Sequence, residues 1–141
     1  MLNQKLLNLV HRTSFRIRAS LSGAYVVFIA VLSLMPRDTF EDIPVFSNAD
    51  VVAHFLMYGM LAGMLCWMLA GRASGLPLRY AGVIMFCAAY GMLIELLQMA
   101  FPGLGRMFSW FDETANCAGA VAVAAAWRWL AGRRDSPPDS T

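Results

Sequence analysis

The chain has 141 residues, a formal net charge of +2, 59% hydrophobic residues and 14% charged residues. Soluble domains carry about 25% charged residues, and a fold this small cannot hide so much apolar surface from water. The excess apolar surface therefore predicts an integral membrane protein. The positive charge is weak and scattered, and no basic stretch is interleaved with aromatics, so we expect no nucleic acid partner.

Residues 1–18 form a basic segment whose leucines recur at helical spacing. Two interpretations stay open for it, an amphipathic helix on the membrane surface or a cytoplasmic tail. Residues 19–35 follow as a first apolar segment that is just long enough to span a bilayer. A cleaved signal peptide is the alternative, but the preceding basic region is long and no small-residue cleavage site precedes Pro36. We therefore favour a retained span.

Three further apolar segments predict an all-α, four-helix transmembrane bundle, with spans at 19–35, 50–70, 79–101 and 110–130. Residues 131–141 are polar and are predicted to be a disordered cytoplasmic tail. Lysines and arginines concentrate before the first span, in the loop around Arg72 and Arg79, and at the end of the chain. The positive-inside rule then places both termini in the cytoplasm.

With that topology, the polar residues of three spans converge at the outer end of the bundle. Residues four apart lie on one face of a helix, so Asp50, His54 and Tyr58 descend together from the outer end of the second span. The third span carries its polar residues near its outer end, and the fourth near its start. The sequence therefore predicts an outer-leaflet polar pocket formed by Asp50, His54, Tyr58, Glu95, Gln98, Arg106, Asp112 and Asn116.

Proton transfer is the chemistry that the ionisable residues of the spans suggest. A carboxylate at the centre of a span costs roughly 2.5–3.5 kcal/mol, so Glu95 is a functional-site hypothesis. Asp50 lies one turn before His54 and could orient its imidazole as an acid/base pair. The candidate catalytic residues are thus Glu95, His54 and Asp50. The alternative is structural: Asp50 caps its helix, His54 bonds a neighbouring helix, and Glu95 pairs with Arg106 or His54.

Arg106 follows a glycine-rich turn at the water–lipid boundary, where a guanidinium suits a lipid phosphate or pyrophosphate. The alternative is an ion pair with Asp112 or Glu113. The candidate ligand-binding residues are Arg106, Gln98, Tyr58, Asp112 and Asn116. Asp50, His54, Glu95 and Asp112 are enough ligands for a divalent metal, but no metal-binding spacing such as HExxH supports one. We therefore expect no metal and no cofactor.

Gly59 and Gly63 form a GxxxG pair in the second span. Such pairs let two helices approach closely, either within one chain or between two copies of it. A homo-oligomer through Gly59 and Gly63 is one interpretation, and packing inside the bundle is the favoured one.

The order of these polar motifs resembles the VanZ-like family of small bacterial membrane proteins. The residues that carry the resemblance are Ser33-Leu34-Met35-Pro36, Asp50-x-x-x-His54-Phe55-x-x-Tyr58, Glu95-x-x-Gln98, Pro102-Gly103, Arg106 and Asp112-x-x-x-Asn116-x-x-Gly119. Two positions depart from the family pattern: Val51 replaces a lysine, and Leu104-Gly105 is inserted before Arg106.

The resemblance implies a four-span protein of the bacterial cytoplasmic membrane and a role in the cell envelope. It also implies a link to glycopeptide resistance, because the family's namesake is associated with resistance to teicoplanin. From the residues, the first hypothesis is a site that binds or processes an anionic lipid or a lipid-linked precursor. The second is an accessory membrane subunit whose polar cluster only fixes helix packing. A transporter is the third, but the apolar inner half shows no path.

Overall fold

The computed structural model of the chain describes residues 13–40, 48–70 and 76–132. Four α-helices occupy most of these ranges: α1 (Phe15–Ser33), α2 (Ala49–Leu69), α3 (Leu76–Ala100) and α4 (Trp110–Gly132). Short 3₁₀ turns follow α1 at Arg37–Phe40 and α3 at Pro102–Leu104. The described residues contain no strand, so the all-α prediction is confirmed for them. The predictions for residues 1–12 and 133–141 lie outside the described residues.

The first helix begins earlier than the predicted span, because Ser14 caps it. The Ser14 side chain accepts a hydrogen bond from the Ile17 backbone N–H at 3.4 Å, which satisfies one of the free donors at a helix start. At α2, Asn48 rather than Asp50 occupies the N-cap position. Asn48 precedes α2 in the left-handed region at φ 71°, but its side chain makes no capping hydrogen bond.

Three helical segments have the length and apolarity needed to cross a membrane: Phe15–Ser33, Ala49–Leu69 and Leu78–Ala100. The composition and the helix lengths of the chain are therefore those of a membrane protein. Helix α4 is not among these three in the described part of the chain. It opens with Asp112, Glu113 and Asn116 and carries Arg128 near its end, which lowers its mean hydropathy.

Helices α2 and α4 share the largest interhelical contact, while α3 packs on α4 and α1 packs on α2. Apolar and small side chains from all four helices meet in one core. Its fully buried members include Ile29, Tyr58, Leu61, Ala62, Cys66, Val83, Cys87, Ala120 and Ala124. Small residues on α4 let the larger side chains of α2 and α3 fill the space between the backbones.

Glycines make the α2–α4 contact possible. A Cβ atom built on Gly119 would lie 3.0 Å from the Phe55 carbonyl carbon and 3.1 Å from the Gly59 nitrogen. A Cβ atom on Gly59 or Gly63 would meet the Val123 side chain at 3.3 or 3.4 Å. The GxxxG face of α2 therefore packs against α4 within one chain. A homo-oligomer through the same glycines stays a prediction.

Polar side chains fasten the other helices to this pair. The buried Arg18 guanidinium donates from Nη1 to the carbonyls of Trp67 (2.7 Å) and Ala70 (3.1 Å) at the end of α2. A cation at a helix C-terminus satisfies free carbonyls and complements the helix dipole. At the other end of α1, Gln98 Nε2 donates to the Ser33 carbonyl at 2.8 Å. These contacts hold α1 at both ends.

We predict that Gly119→Ala destabilises the fold, because its Cβ would press on backbone atoms of α2 that cannot rotate away. The expected loss is about 1–3 kcal/mol, measured as unfolding in mixed detergent and sodium dodecyl sulfate. Gly82→Ala is the matched control, since nothing lies within 4 Å of a Cβ there. Equal stability of the two variants would contradict the close α2–α4 contact.

Candidate functional site

The polar residues gather where α1 and α3 end and α2 and α4 begin, a region called the pocket end here. His54 from α2, Glu95 from α3 and Asp112 from α4 each offer one ligand atom, and these atoms lie within 4.8 Å of one another. We call these three residues the His–Glu–Asp cluster. His54 and Glu95 are buried and Asp112 is half-buried. The structure thus brings together three side chains that are far apart in the sequence.

Hydrogen bonds fix the imidazole of His54. Asn116 Nδ2 donates to Glu113 Oε2 at 3.2 Å, which turns the Asn116 amide oxygen toward His54. His54 Nδ1 lies 2.9 Å from that oxygen, so Nδ1 carries a proton and donates it. In the neutral ring, Nε2 then has a free lone pair. The pocket end therefore presents an imidazole whose tautomer is set by its neighbours.

Glu95 is 0% exposed, and its two oxygens differ in their surroundings. Oε2 accepts a hydrogen bond from the Ser109 backbone N–H at 2.8 Å. Oε1 is buried and has no hydrogen-bond partner among the described residues. A buried acceptor without a partner usually costs 1–3 kcal/mol, and more when it is charged. A buried oxygen in this position is stabilised by a proton, a water molecule or a ligand.

Ser109 and Glu113 belong to this region, although the sequence analysis did not assign them to the site. The Ser109 hydroxyl caps α4 by accepting from the Asp112 N–H at 3.2 Å. Glu113 is buried and accepts from Asn116 and from the Cys117 thiol at 3.4 Å. The capping role of Ser109 could have been predicted from the sequence, because Ser109-x-x-Asp112 has the spacing of a helix-capping motif.

Gly91 on α3 makes room for the Glu113–Asn116 pair. A Cβ atom at this position would lie 2.6 Å from Asn116 Nδ2 and 2.6 Å from Glu113 Oε2. Both polar groups therefore pass directly over the α3 backbone. The absence of a side chain at Gly91 brings Asn116 within reach of His54, which sequence spacing alone does not reveal.

Two predicted ligand-binding residues are buried near the cluster. The Tyr58 ring stacks on His54 with centroids 6.4 Å apart, and its hydroxyl has no hydrogen-bond partner in the described part of the chain. Gln98 is 3% exposed and its amide bonds the Ser33 carbonyl. Tyr58 therefore leaves a free polar group inside the bundle, whereas Gln98 connects two helices.

Arg106 lies in the loop between α3 and α4 and is half-buried. Its Nε donates to the Met35 carbonyl at 3.2 Å, which ties this loop to the end of α1. The preceding Gly105 has φ 62°, a left-handed conformation that glycine adopts without strain. The Leu104-Gly105 pair thus closes the turn, and Arg106 bonds the chain just after α1.

Asp50 is exposed in the first turn of α2 and is not part of the His–Glu–Asp cluster. The structure therefore pairs His54 with Asn116, while the sequence analysis paired it with Asp50. Spacing along one helix could not decide this, because the partner comes from a different helix. A proton-transfer role for Asp50 stays a prediction.

A concave region lies at the opposite end of the bundle. It is an apolar groove of about 560 Å³ between α1, α2 and α3, lined in part by Ser22, Val26, Leu65, Arg79 and Phe86. None of the polar residues of the pocket end lines it. The groove is therefore separate from the candidate site.

We predict that Asn116→Leu destabilises the protein by about 2–4 kcal/mol, because Glu113 loses a hydrogen-bond donor and His54 an acceptor inside the bundle. Unfolding in mixed detergent measures the loss. Thr114→Val, which removes an exposed hydroxyl from the same helix, should change the unfolding free energy by less than about 0.5 kcal/mol. A similar change in both variants would show that Asn116 does not join the helices.

Comparison with known proteins identifies the family of the chain and nothing more specific. No curated protein and no solved structure matches the chain. The model of the VanZ/LLP1 family matches residues 3–131, which is nearly the whole chain and includes every residue of the pocket end. The resemblance based on the polar motifs is therefore confirmed, and the chain belongs to the VanZ/LLP1 family.

Proposed function

We propose that the pocket end binds or processes an anionic lipid, or a lipid-linked precursor of the cell envelope. One observation carries the proposal. A cluster of two carboxylates and an imidazole, with His54 and Glu95 buried and Asp112 half-buried, lies where two apolar helices of spanning length, α2 and α3, meet the start of α4. Ionisable groups are expensive at such positions and mark functional sites in membrane proteins.

Arg106 is the group proposed to contact the phosphate. Its guanidinium suits phosphate oxygens because it presents several N–H donors in one plane. The hydrogen bond from Arg106 Nε to the Met35 carbonyl fixes one side of the guanidinium. Arg106 is half-buried, so part of its side chain is exposed at the membrane boundary. The headgroup of a lipid would lie at this depth.

If the protein processes its ligand, His54 and Glu95 are the proposed proton carriers. Nε2 of His54 and Oε1 of Glu95 are acceptors that the described residues leave open. A water molecule or hydroxyl between them would donate a proton to either group. The nucleophile and the leaving group would come from the ligand and water, because Ser109 acts as a helix cap.

An accessory subunit is the second candidate function, and a specific observation favours it. The Asn116–His54 and Gln98–Ser33 hydrogen bonds are buried and each join two helices, and the part-buried bond from the Ser109 N–H to Glu95 ties the start of α4 to α3. Such contacts fix the register of a bundle without any ligand. In that case, Glu95→Gln should unfold the protein. A folded but inactive Glu95→Gln variant supports the site.

The proposed location is the bacterial cytoplasmic membrane, with α4 as a fourth span and the pocket end facing outward. Arg18, Arg79 and Arg128 lie toward the opposite end, as the positive-inside rule expects for a cytoplasmic side. This arrangement would place the lipid phosphate in the outer leaflet. The association of the family's namesake with teicoplanin resistance fits an outer-face role, and an effect on glycopeptide sensitivity is part of the proposal.

Topology is tested with fusions to alkaline phosphatase, which is active only outside the cytoplasm. A fusion after Thr141 should be inactive, and a fusion after Gly105, in the loop before α4, should be active. The physical reason is that α4 returns the chain to the cytoplasmic side. Activity of the fusion after Thr141 would contradict a fourth span.

Native mass spectrometry in mild detergent tests the lipid proposal. The wild-type protein should retain an anionic lipid, and Arg106→Ala should lose at least about 90% of it, because one charge-assisted phosphate contact is worth roughly 1.5–3 kcal/mol. Arg128→Ala is the control, since it removes an exposed arginine from the opposite end. Retention of the lipid by a folded Arg106→Ala variant would refute the assigned contact.

A further inference from the structure

We propose that His54, Glu95 and Asp112 bind one divalent metal ion, with Zn²⁺ as the best match to the donor set. From the sequence we expected no metal despite enough possible ligands, because these ligands come from three helices and share no local spacing. The protein alone binds the ion, so the site does not depend on the lipid ligand. It also bears on the proposed function, because a bound cation would attract a phosphate and, by occupying Nε2 of His54 and Oε1 of Glu95, would replace their proposed role as proton carriers.

The donor atoms are of the right kind and nearly at the right distance. One imidazole nitrogen and two carboxylate oxygens are ligands of Zn²⁺, and three protein ligands leave a fourth position for water or substrate. With bonds of about 2.0–2.2 Å, tetrahedral ligand atoms lie roughly 3.3–3.6 Å apart. The donor atoms of the cluster lie within 4.8 Å of one another. Binding of an ion would have to bring the donor atoms closer together by side-chain rotation.

The unpartnered oxygen of Glu95 is a separate observation that points to a ligand. Oε1 is buried and accepts no hydrogen bond from the described residues, on a side chain that is 0% exposed. A carboxylate oxygen in that position needs a proton or a cation. A metal ion shared with Asp112 satisfies both carboxylates and removes the repulsion between them.

The second layer of contacts orients the ligands as in known metal sites. Metal-binding histidines donate their other ring N–H to an oxygen, which fixes the tautomer and the ring plane. His54 does this through Nδ1 to Asn116 and keeps Nε2 for the ion. Glu95 is held in the same way, because Oε2 accepts from the Ser109 N–H at 2.8 Å and Oε1 remains open.

The charge of the site supports the same conclusion. The cluster contains two carboxylates and one imidazole, so without an added cation it repels an anionic headgroup when both carboxylates are ionised. A divalent ion reverses the sign of the local potential and can polarise a phosphoryl oxygen. Arg106 and the ion would then contact the same phosphate from two sides.

The test is equilibrium dialysis of the full-length protein in detergent. The protein is stripped with a chelator, dialysed against Zn²⁺ or Mn²⁺, and its bound metal is counted by mass spectrometry. We expect one ion per chain for Zn²⁺. Asp112→Asn should weaken the affinity at least tenfold, since loss of even a supporting contact costs about 10–100-fold. Glu95→Gln, which retains an acceptor for Ser109, should have the same effect.

Asp50→Asn is the matched control, because it removes a carboxylate one turn from His54 on an exposed position outside the cluster. Its affinity should stay within about twofold of the wild type. Circular dichroism and gel filtration establish that each variant is folded. If Asp112→Asn fails to fold, Glu95→Gln decides the result, and the stoichiometry of the wild type is informative without either variant.

Three results would overturn the metal site: no stoichiometric binding of Zn²⁺ or Mn²⁺ by the wild type, unchanged binding in the folded cluster variants, or an equal loss in Asp50→Asn. The proposed lipid function fails separately. A protein that binds the ion but carries no Arg106-dependent lipid keeps the metal site and loses the lipid proposal. A protein that carries the Arg106-dependent lipid but binds no ion keeps the lipid proposal and loses the metal site.

Discussion

The burial of the Glu95 carboxylate is the constraint on which the pocket end depends. A fully buried acid within an apolar helix is stable only when its surroundings supply donors, a proton or a cation. The Ser109 N–H supplies one donor, and Ser109 can do so because it also caps the first turn of α4. The start of α4 is therefore positioned by the acid on α3. Asp112 follows on the same turn and completes the cluster.

The close α2–α4 contact is the second requirement, and it comes from residues without side chains. Gly119 lets the α4 backbone approach Phe55 and Gly59 of α2. At that separation, Asn116 is close enough to hold His54. Gly91 plays the corresponding part on α3 by leaving space for Asn116 and Glu113. Packing and chemistry are therefore coupled, because the same helix approach builds the core and the site.

The two ends of the bundle are different in kind. The pocket end contains carboxylates, an imidazole and amides, whereas the opposite end contains an apolar groove and the Arg18 clamp on α2. Arg18 stabilises the end of α2 because its charged guanidinium donates to backbone carbonyls that the helix leaves free. The groove offers contact area for acyl chains or apolar side chains. The buried ionisable cluster is thereby confined to one end of the bundle.

The sequence by itself determined the helices, the family and the end of the bundle where the polar residues meet. Apolar runs broken by polar turns define helices of spanning length, and the order Asp50, His54, Glu95, Arg106 and Asp112 indicated the VanZ-like family. These properties depend on local composition and on helical periodicity, both of which a linear chain displays.

Only the tertiary structure decided which polar groups touch. Asp50 precedes His54 by one turn, yet His54 bonds Asn116 of another helix and Asp50 remains exposed. Glu113, Ser109 and Gly91 entered the site for the same reason, because their roles depend on the distance between helices. Arg18 belongs to the basic N-terminal segment of the sequence, but in the structure its guanidinium donates to a backbone carbonyl at the end of α2. Interhelical distance is set by packing over the whole bundle, and no local spacing encodes it.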